Sequence, residues 1–140
     1  MIPQSPPPLA PSAERGADAF YACFGMRAVT EEGLDEALAA AADALVAIYL
    51  WGEDCYNCEQ FKKAALLNHR EIASLELHWL HADVYEDTAM RRRFSLHGVP
   101  TFYFFHRGKR LGRITSWPGL PQFLQAVQGL KERISGGAGA

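Results

Sequence analysis

Leu45-Val46-Ala47-Ile48-Tyr49-Leu50-Trp51-Gly52-Glu53-Asp54-Cys55-Tyr56-Asn57-Cys58 is the stretch on which the fold turns. Its first seven residues are apolar throughout, the pattern of a central strand covered on both faces. From Tyr56 to about His69 the spacing becomes helical, with Cys58, Phe61, Ala65 and Asn68 along one stripe. Two cysteines three residues apart therefore stand where a buried strand hands over to a helix. At that spot the unpaired N–H groups and the positive dipole end of the helix favour a thiolate on Cys55. Cys58 follows one turn later, near enough to close a small ring. A thiolate that attacks a disulfide, with a neighbour that releases it, is the minimum needed for thiol–disulfide exchange.

The flanking sequence supplies the rest of a domain. On the N-terminal side, Met26 to Val29 is a short apolar segment. Thr30 offers a helix N-cap with Glu31 and Glu32 behind it, and Leu34, Leu38 and Ala41 recur at helical spacing to about Ala44. On the C-terminal side, Leu75 to Ala82 reads as a strand and Glu86 to Ser95 as a short helix with Met90 and Phe94 inward. Thr101 to Phe105 reads as a third strand, turning through His106-Arg107-Gly108-Lys109 into a partner over Arg110 to Thr115. Pro121 opens a last helix striped by Phe123, Leu124, Val127, Leu130 and Ile134. Strands alternating with helices, then a hairpin and a helix, predict an α/β domain: a central mixed β-sheet flanked by helices on both faces.

The ends read differently. Residues 3 to 12 hold five of the eight prolines, and residues 1–24 are expected to be a Pro-rich flexible N-terminal arm. Residues 25–134 form the predicted domain, and residues 135–140 (Ser-Gly-Gly-Ala-Gly-Ala) a disordered Gly-rich tail. Cys23 falls outside the domain on this reading and is given no catalytic role. The net charge of -2 supplies no basic field for nucleic acid. With 49% apolar and 21% charged residues the 140-residue chain is globular, and it lacks a run of roughly 20 apolar residues for a membrane span.

Other uses of the cysteine pair fit less well. A structural zinc site needs four ligands, usually two such pairs, and none of His69, His78, His81, His97 and His106 forms an H-x₃₋₅-H pair near the cysteines. Covalent haem attachment needs histidine after Cys58, where Glu59 stands. No cofactor and no metal are expected. A second signal is Gly98-Val99-Pro100-Thr101 directly before the aromatic strand. Proline at a strand start lacks the ladder N–H and belongs at an edge or special turn, where a cis bond costs only about 0.5–1 kcal/mol over trans.

Taken together, Trp51-Gly52-Glu53-Asp54-Cys55-Tyr56-Asn57-Cys58, Val99-Pro100-Thr101, Asp83-Val84 and Gly108 resemble the landmarks of the thioredoxin family, in order, over about residues 26 to 134. The resemblance implies Cys55 as nucleophile, Cys58 as resolving thiol, and Pro100 in cis, packed against the disulfide. It implies Trp51, Val99, Pro100 and Tyr56 as substrate contacts. The chain departs from the family pattern between the cysteines, where Tyr56-Asn57 replaces the usual Gly-Pro that influences redox potential, and at three further positions: Tyr49 replaces the buried aspartate, His81 the lysine, and Asp54 the tryptophan before the first cysteine. Tyr49, His81 and Asp54 are therefore expected to modulate the site. Glu53, Asp54 and Glu59 crowd it with anions that oppose thiolate formation and lean it toward a reducing catalyst. The expected function is a thiol–disulfide oxidoreductase exchanging disulfides with protein substrates, with a dithiol reductant as its other partner. The alternatives are a disulfide isomerase or oxidase, or a binding or adaptor module with little redox activity. The expected form is a cytoplasmic monomer, or a periplasmic or secreted one if a leader has been removed.

Overall fold

The structure, a computed structural model, describes residues 19–139. A helical segment α1 covers residues 19–23. There follow β1 (Arg27–Ala28), α2 (Leu34–Ala40), β2 (Leu45–Trp51), α3 (Tyr56–Leu67), α4 (His69–Ala73) and β3 (His78–Asp83). The chain ends with α5 (Thr88–Arg93), β4 (Thr101–His106), β5 (Lys109–Thr115) and α6 (Leu120–Gly139). The strands form one five-stranded sheet in the order β1-β3-β2-β4-β5. The first three run parallel, while β4 and β5 are antiparallel to their neighbours. The mixed sheet with helices on both faces is the architecture that the sequence pattern predicts.

Alternation along β2 divides the core. Leu45, Ala47 and Tyr49 point to one face, where Phe20, Phe61, Ala65, Phe123 and Val127 from α1, α3 and α6 cover them. Val46, Ile48 and Leu50 point to the other, under Leu34, Leu38, Met90 and Phe94 from the α2 and α5 side. Both faces are therefore dry, which is why the strand shows no polar alternation. Arg93 ties α5 to Asp35 of α2 at 2.6 Å and to Glu31 in the turn before it at 3.3 Å.

Several boundaries differ from expectation for local reasons. The arm predicted over residues 1–24 stops short of residue 24 in the described region. Phe20 and Tyr21 are buried against the sheet, and burying a large aromatic outweighs the weak local signal around it. Residues 1–18 lie outside the described residues. The tail predicted from residue 135 instead continues α6 to Gly139; glycine weakens a helix by about 1 kcal/mol but, unlike proline, keeps the N–H that helix bonding needs. Residue 140 lies outside the described residues. Thr30 does not cap α2. Its Oγ1 accepts from Gly33 N at 3.2 Å in the preceding turn, and α2 begins after Gly33 without a side-chain cap.

The helix predicted from Tyr56 breaks at Asn68, whose φ of -121° and ψ of 43° leave the helical region, and α4 restarts after it. The short helix predicted over Glu86 to Ser95 contracts to Thr88–Arg93. Asp87 caps it through Oδ1, which accepts from Met90 N at 3.0 Å.

Candidate active site

Cys55 and Cys58 are joined in a disulfide, with Cα atoms 5.2 Å apart. Cys55 is the N-cap of α3, with extended backbone at φ -110° and ψ 104°. Its Sγ accepts from Cys58 N at 3.1 Å, and its carbonyl accepts from Glu59 N at 3.1 Å. The sulfur thus occupies the place where a serine or aspartate oxygen would normally satisfy an orphan helix N–H. In the reduced protein the same N–H and the dipole end stabilise a thiolate there. Burial separates the two sulfurs. Cys55 is half-buried, and Cys58 is 3% exposed.

Asp54 makes this entry possible. Its φ of 53° turns the chain in the left-handed region, which aspartate tolerates better than most residues. Gly52 is needed for a separate reason: a Cβ there would lie 2.5 Å from the Tyr85 ring. Tyr85 therefore lies directly over the backbone between Trp51 and the cysteines.

The second signal arrives through register. Antiparallel pairing sets Leu50 opposite Thr101, so Pro100 falls beside the end of β2, where the cysteine loop begins. The Val99–Pro100 peptide is cis. The Val99 carbonyl lies 3.5 Å from Cys55 Sγ, a contact that a reduced Cys55 makes as an S–H···O bond. Pro100 is buried, and its carbonyl accepts from Ser116 N at 2.7 Å. Ser116 has a φ of 66°, and its hydroxyl accepts from Asn57 Nδ2 at 3.1 Å. The cysteine helix and the segment after β5 are thereby linked across the site.

Trp51 is half-buried, and its indole N–H donates to His81 Nδ1 at 3.1 Å. Indole is a donor only, so Nδ1 must carry a lone pair. His81 is buried and stacks on Tyr21 of α1 with ring centroids 3.7 Å apart. Tyr49 pairs with His81 in the β2–β3 register and is enclosed by Phe61 at 4.8 Å and Phe102 at 5.5 Å. Burial pushes its phenol pKa far above the usual value, with smaller contributions from Tyr21 and Glu59. Where the resemblance expects a buried carboxylate and a lysine, the strands carry a neutral phenol and a ring that accepts a hydrogen bond. Neither supplies a charge beneath the disulfide.

The expected anions are unequal. Glu59 pairs with Lys62 at 3.1 Å, which offsets part of its charge, whereas Asp54 is exposed. Glu53, Asp83 and Glu86 bring carboxylates within 4.8 Å of one another, and the Asp83 carboxylate already accepts from Tyr85 N at 3.0 Å. Tyr56, between the cysteines, is 74% exposed. Cys23 is a free, exposed cysteine at the end of α1, and its carbonyl is 3.1 Å from His69 Nε2.

The structure therefore brings Cys55, Cys58, Trp51, Tyr56, Val99 and Pro100 to one end of the sheet, with Tyr49 and His81 beneath. Sequence reasoning missed Tyr21, Tyr85 and Ser116, and with Ser116 the hydrogen bond from Asn57. Only Gly52 beside Trp51 carried a signal, as a mark of close approach.

No family model matches the chain, and no curated protein matches it in sequence. Solved structures do match it. Thioredoxin f from spinach chloroplast (short form) is 21% identical, with 76% of this chain and 93% of that one covered and a TM-score of 0.62. Fasciola hepatica thioredoxin is 19% identical, covering 74% and 97%, with a TM-score of 0.64. A thioredoxin f2 in complex with ferredoxin:thioredoxin reductase is 17% identical, covering 76% and 94%, with a TM-score of 0.62. The chain has the thioredoxin fold.

Proposed function

With the thioredoxin fold as the premise, we propose that the chain is a protein thiol–disulfide oxidoreductase that reduces disulfides in polypeptide substrates. The observation that supports this most is the placement of Cys55 Sγ at a helix N-cap, 3.5 Å from the carbonyl beside a cis proline. The N–H of Cys58 lowers the cost of the thiolate, and the half-buried position leaves it open to attack a partner. Val99 offers a backbone edge for an extended substrate segment, and Trp51 and Tyr56 supply apolar contact beside it.

The exchange runs in two steps. The Cys55 thiolate attacks one sulfur of the substrate disulfide; a Cys55–substrate disulfide forms, and the other substrate sulfur leaves as a thiolate. Cys58 then attacks Cys55 Sγ, its proton passing to the thiolate already released. The Cys55–Cys58 disulfide forms and the second substrate sulfur departs. Two electrons have moved to the substrate, and a dithiol reductant must return them. One of the similar structures is a complex of a thioredoxin f2 with a ferredoxin:thioredoxin reductase, and a reductase is proposed as the electron donor here. Exposed Asp54 and Glu53 oppose the thiolate in the reduced form, which supports the reducing direction. The free thiol of Cys23 suits a reducing compartment such as the cytoplasm. Among the described residues no helix is long and apolar enough to cross a membrane.

Insulin reduction driven by dithiothreitol tests the reading. The wild type should accelerate precipitation over buffer, and Cys55→Ser should abolish the acceleration. Cys58→Ser should retain attack but lose release, so reducible adducts through Cys55 should collect on a non-reducing gel. Wild-type protein that performs no better than buffer would leave a binding module on the same fold.

A further inference from the structure

A groove of about 290 Å³ runs from the cis-proline loop to the edge strand β5. Leu96, His97, Val99 and Pro100 line one side, and Arg113 and Ser116 the other. It opens beside the reactive sulfur, because the Val99 carbonyl is the group 3.5 Å from Cys55 Sγ. Among the described residues no aspartate or glutamate lines it.

Arg113 sets the charge of this groove. Strand register places it opposite Tyr103, two residues along from the Thr101–Thr115 pair next to Pro100. One guanidinium nitrogen lies 3.5 Å from the Tyr103 hydroxyl, which itself donates to the Phe94 carbonyl at 3.4 Å. That long contact occupies one of five N–H donors. Among the described residues the ion pairs use Lys62, Arg93 and Arg107, so no carboxylate holds Arg113. Arg110 is not part of the lining; its guanidinium lies 5.1 Å from the centroid of the Tyr103 ring, so among the described residues Arg113 is the one arginine that faces the groove. Beside the cysteines, by contrast, stand Glu53, Asp54 and Glu59. The cysteines are thus flanked in sequence by acidic residues, while among the described residues none lines the groove that opens beside Val99.

We propose that this groove is a subsite for an acidic side chain of the substrate polypeptide, and that Arg113 is the residue that reads it. The proposal rests on the thiol–disulfide exchange reading and names its substrate class: segments with Asp or Glu within about three residues of the reacting cysteine, given roughly 3.3 Å per extended residue. A guanidinium fork fits a carboxylate with two parallel hydrogen bonds, which a lysine in the substrate cannot satisfy. Because Arg113 is exposed, the preference is modest and falls as salt rises.

Two disulfide peptides that differ only in flanking Glu or flanking Lys test it, with neutral hydroxyethyl disulfide as a third substrate. The wild type should favour the Glu peptide roughly two- to fivefold in kcat/KM, mainly through KM, at low salt. Arg113→Glu should reverse the ratio, and Arg113→Lys should keep its direction. The ratio is internal to each variant, so a general loss of activity cancels. A wild-type ratio near one, or the same ratio in Arg113→Glu, overturns the subsite while turnover of all three substrates keeps the exchange reading. Absence of wild-type turnover on all three overturns that reading and the subsite with it.

Discussion

His81 has two neighbours that constrain it from different sides, Trp51 through a 3.1 Å hydrogen bond and Tyr21 through a 3.7 Å ring stack. The Trp51 N–H is partly buried and cannot accept a proton, so removing its acceptor leaves a desolvated donor that costs about 1–3 kcal/mol. His81→Leu should destabilise the protein by about that amount and move the Trp51 indole N–H resonance toward the position of a free indole. His81→Asn presents an oxygen near the place of Nδ1 and should restore most of both. An indole resonance indifferent to either substitution would mean that Trp51 is held by its packing alone. The same bond explains why His81 is no simple stand-in for lysine: a side chain that accepts from Trp51 cannot offer a cation at that nitrogen. Asp54 differs in kind, because its contribution is divided between an exposed charge and a left-handed backbone that positions Cys55.

Helix α1 reaches the site from an unexpected direction. Phe20 is 2% exposed and packs its ring 5.7 Å from Phe61 and 6.5 Å from Tyr49, while Tyr21 lies 5.8 Å from Trp51. Deleting a buried phenylalanine costs about 3–5 kcal/mol, and a few °C of Tm accompany each kcal/mol in a domain of this size. Phe20→Ala should therefore lower Tm by about 10 °C or more and speed amide exchange in residues 19–24. A Tm change under about 3 °C would show that α1 rests on the domain without supporting it. None of this was read from the sequence: Phe20, Tyr21 and Phe24 have the i, i+1, i+4 spacing of a helix, but over a single turn beside a proline-rich stretch, too short a run for periodicity to decide. The break at Asn68 was equally hidden, since a single non-helical residue leaves the 3.6-residue stripe almost intact. Strand β2 and the cysteine turn were legible for the opposite reason. A seven-residue apolar run has few other ways to be buried, and the C-x-x-C spacing carries its chemistry locally. The groove at Arg113 depends on β4–β5 register, which composition does not encode.

Sheet topology explains how such distant segments meet. Strand β2 lies between a parallel and an antiparallel neighbour, so the end that delivers Cys55 is also where β4 begins with Pro100 behind it. The two arms of the site are thus joined through a strand buried along all but its last residue, and Tyr49 within it is 1% exposed. Burial holds this phenol neutral in the folded protein well beyond the ordinary tyrosine range, whereas in the unfolded chain it ionises near pH 10. Below that pH both states keep the proton, and Tyr49 adds no pH dependence. Above it the unfolded state loses a proton that the native state retains, so stability falls as pH rises, by about 1.4 kcal/mol per pH unit for this one group. Tyr49→Phe lacks the proton in both states. Its stability relative to wild type should therefore improve by about that amount per unit between pH 10 and 12, whatever the substitution costs at pH 8. Urea unfolding of the oxidised protein at several alkaline pH values measures it, in a Cys23→Ser background that removes the free thiol able to reshuffle the disulfide. Parallel alkaline slopes in the two proteins would mean that the Tyr49 hydroxyl ionises in the folded state, and with it that the floor of the site is open to water.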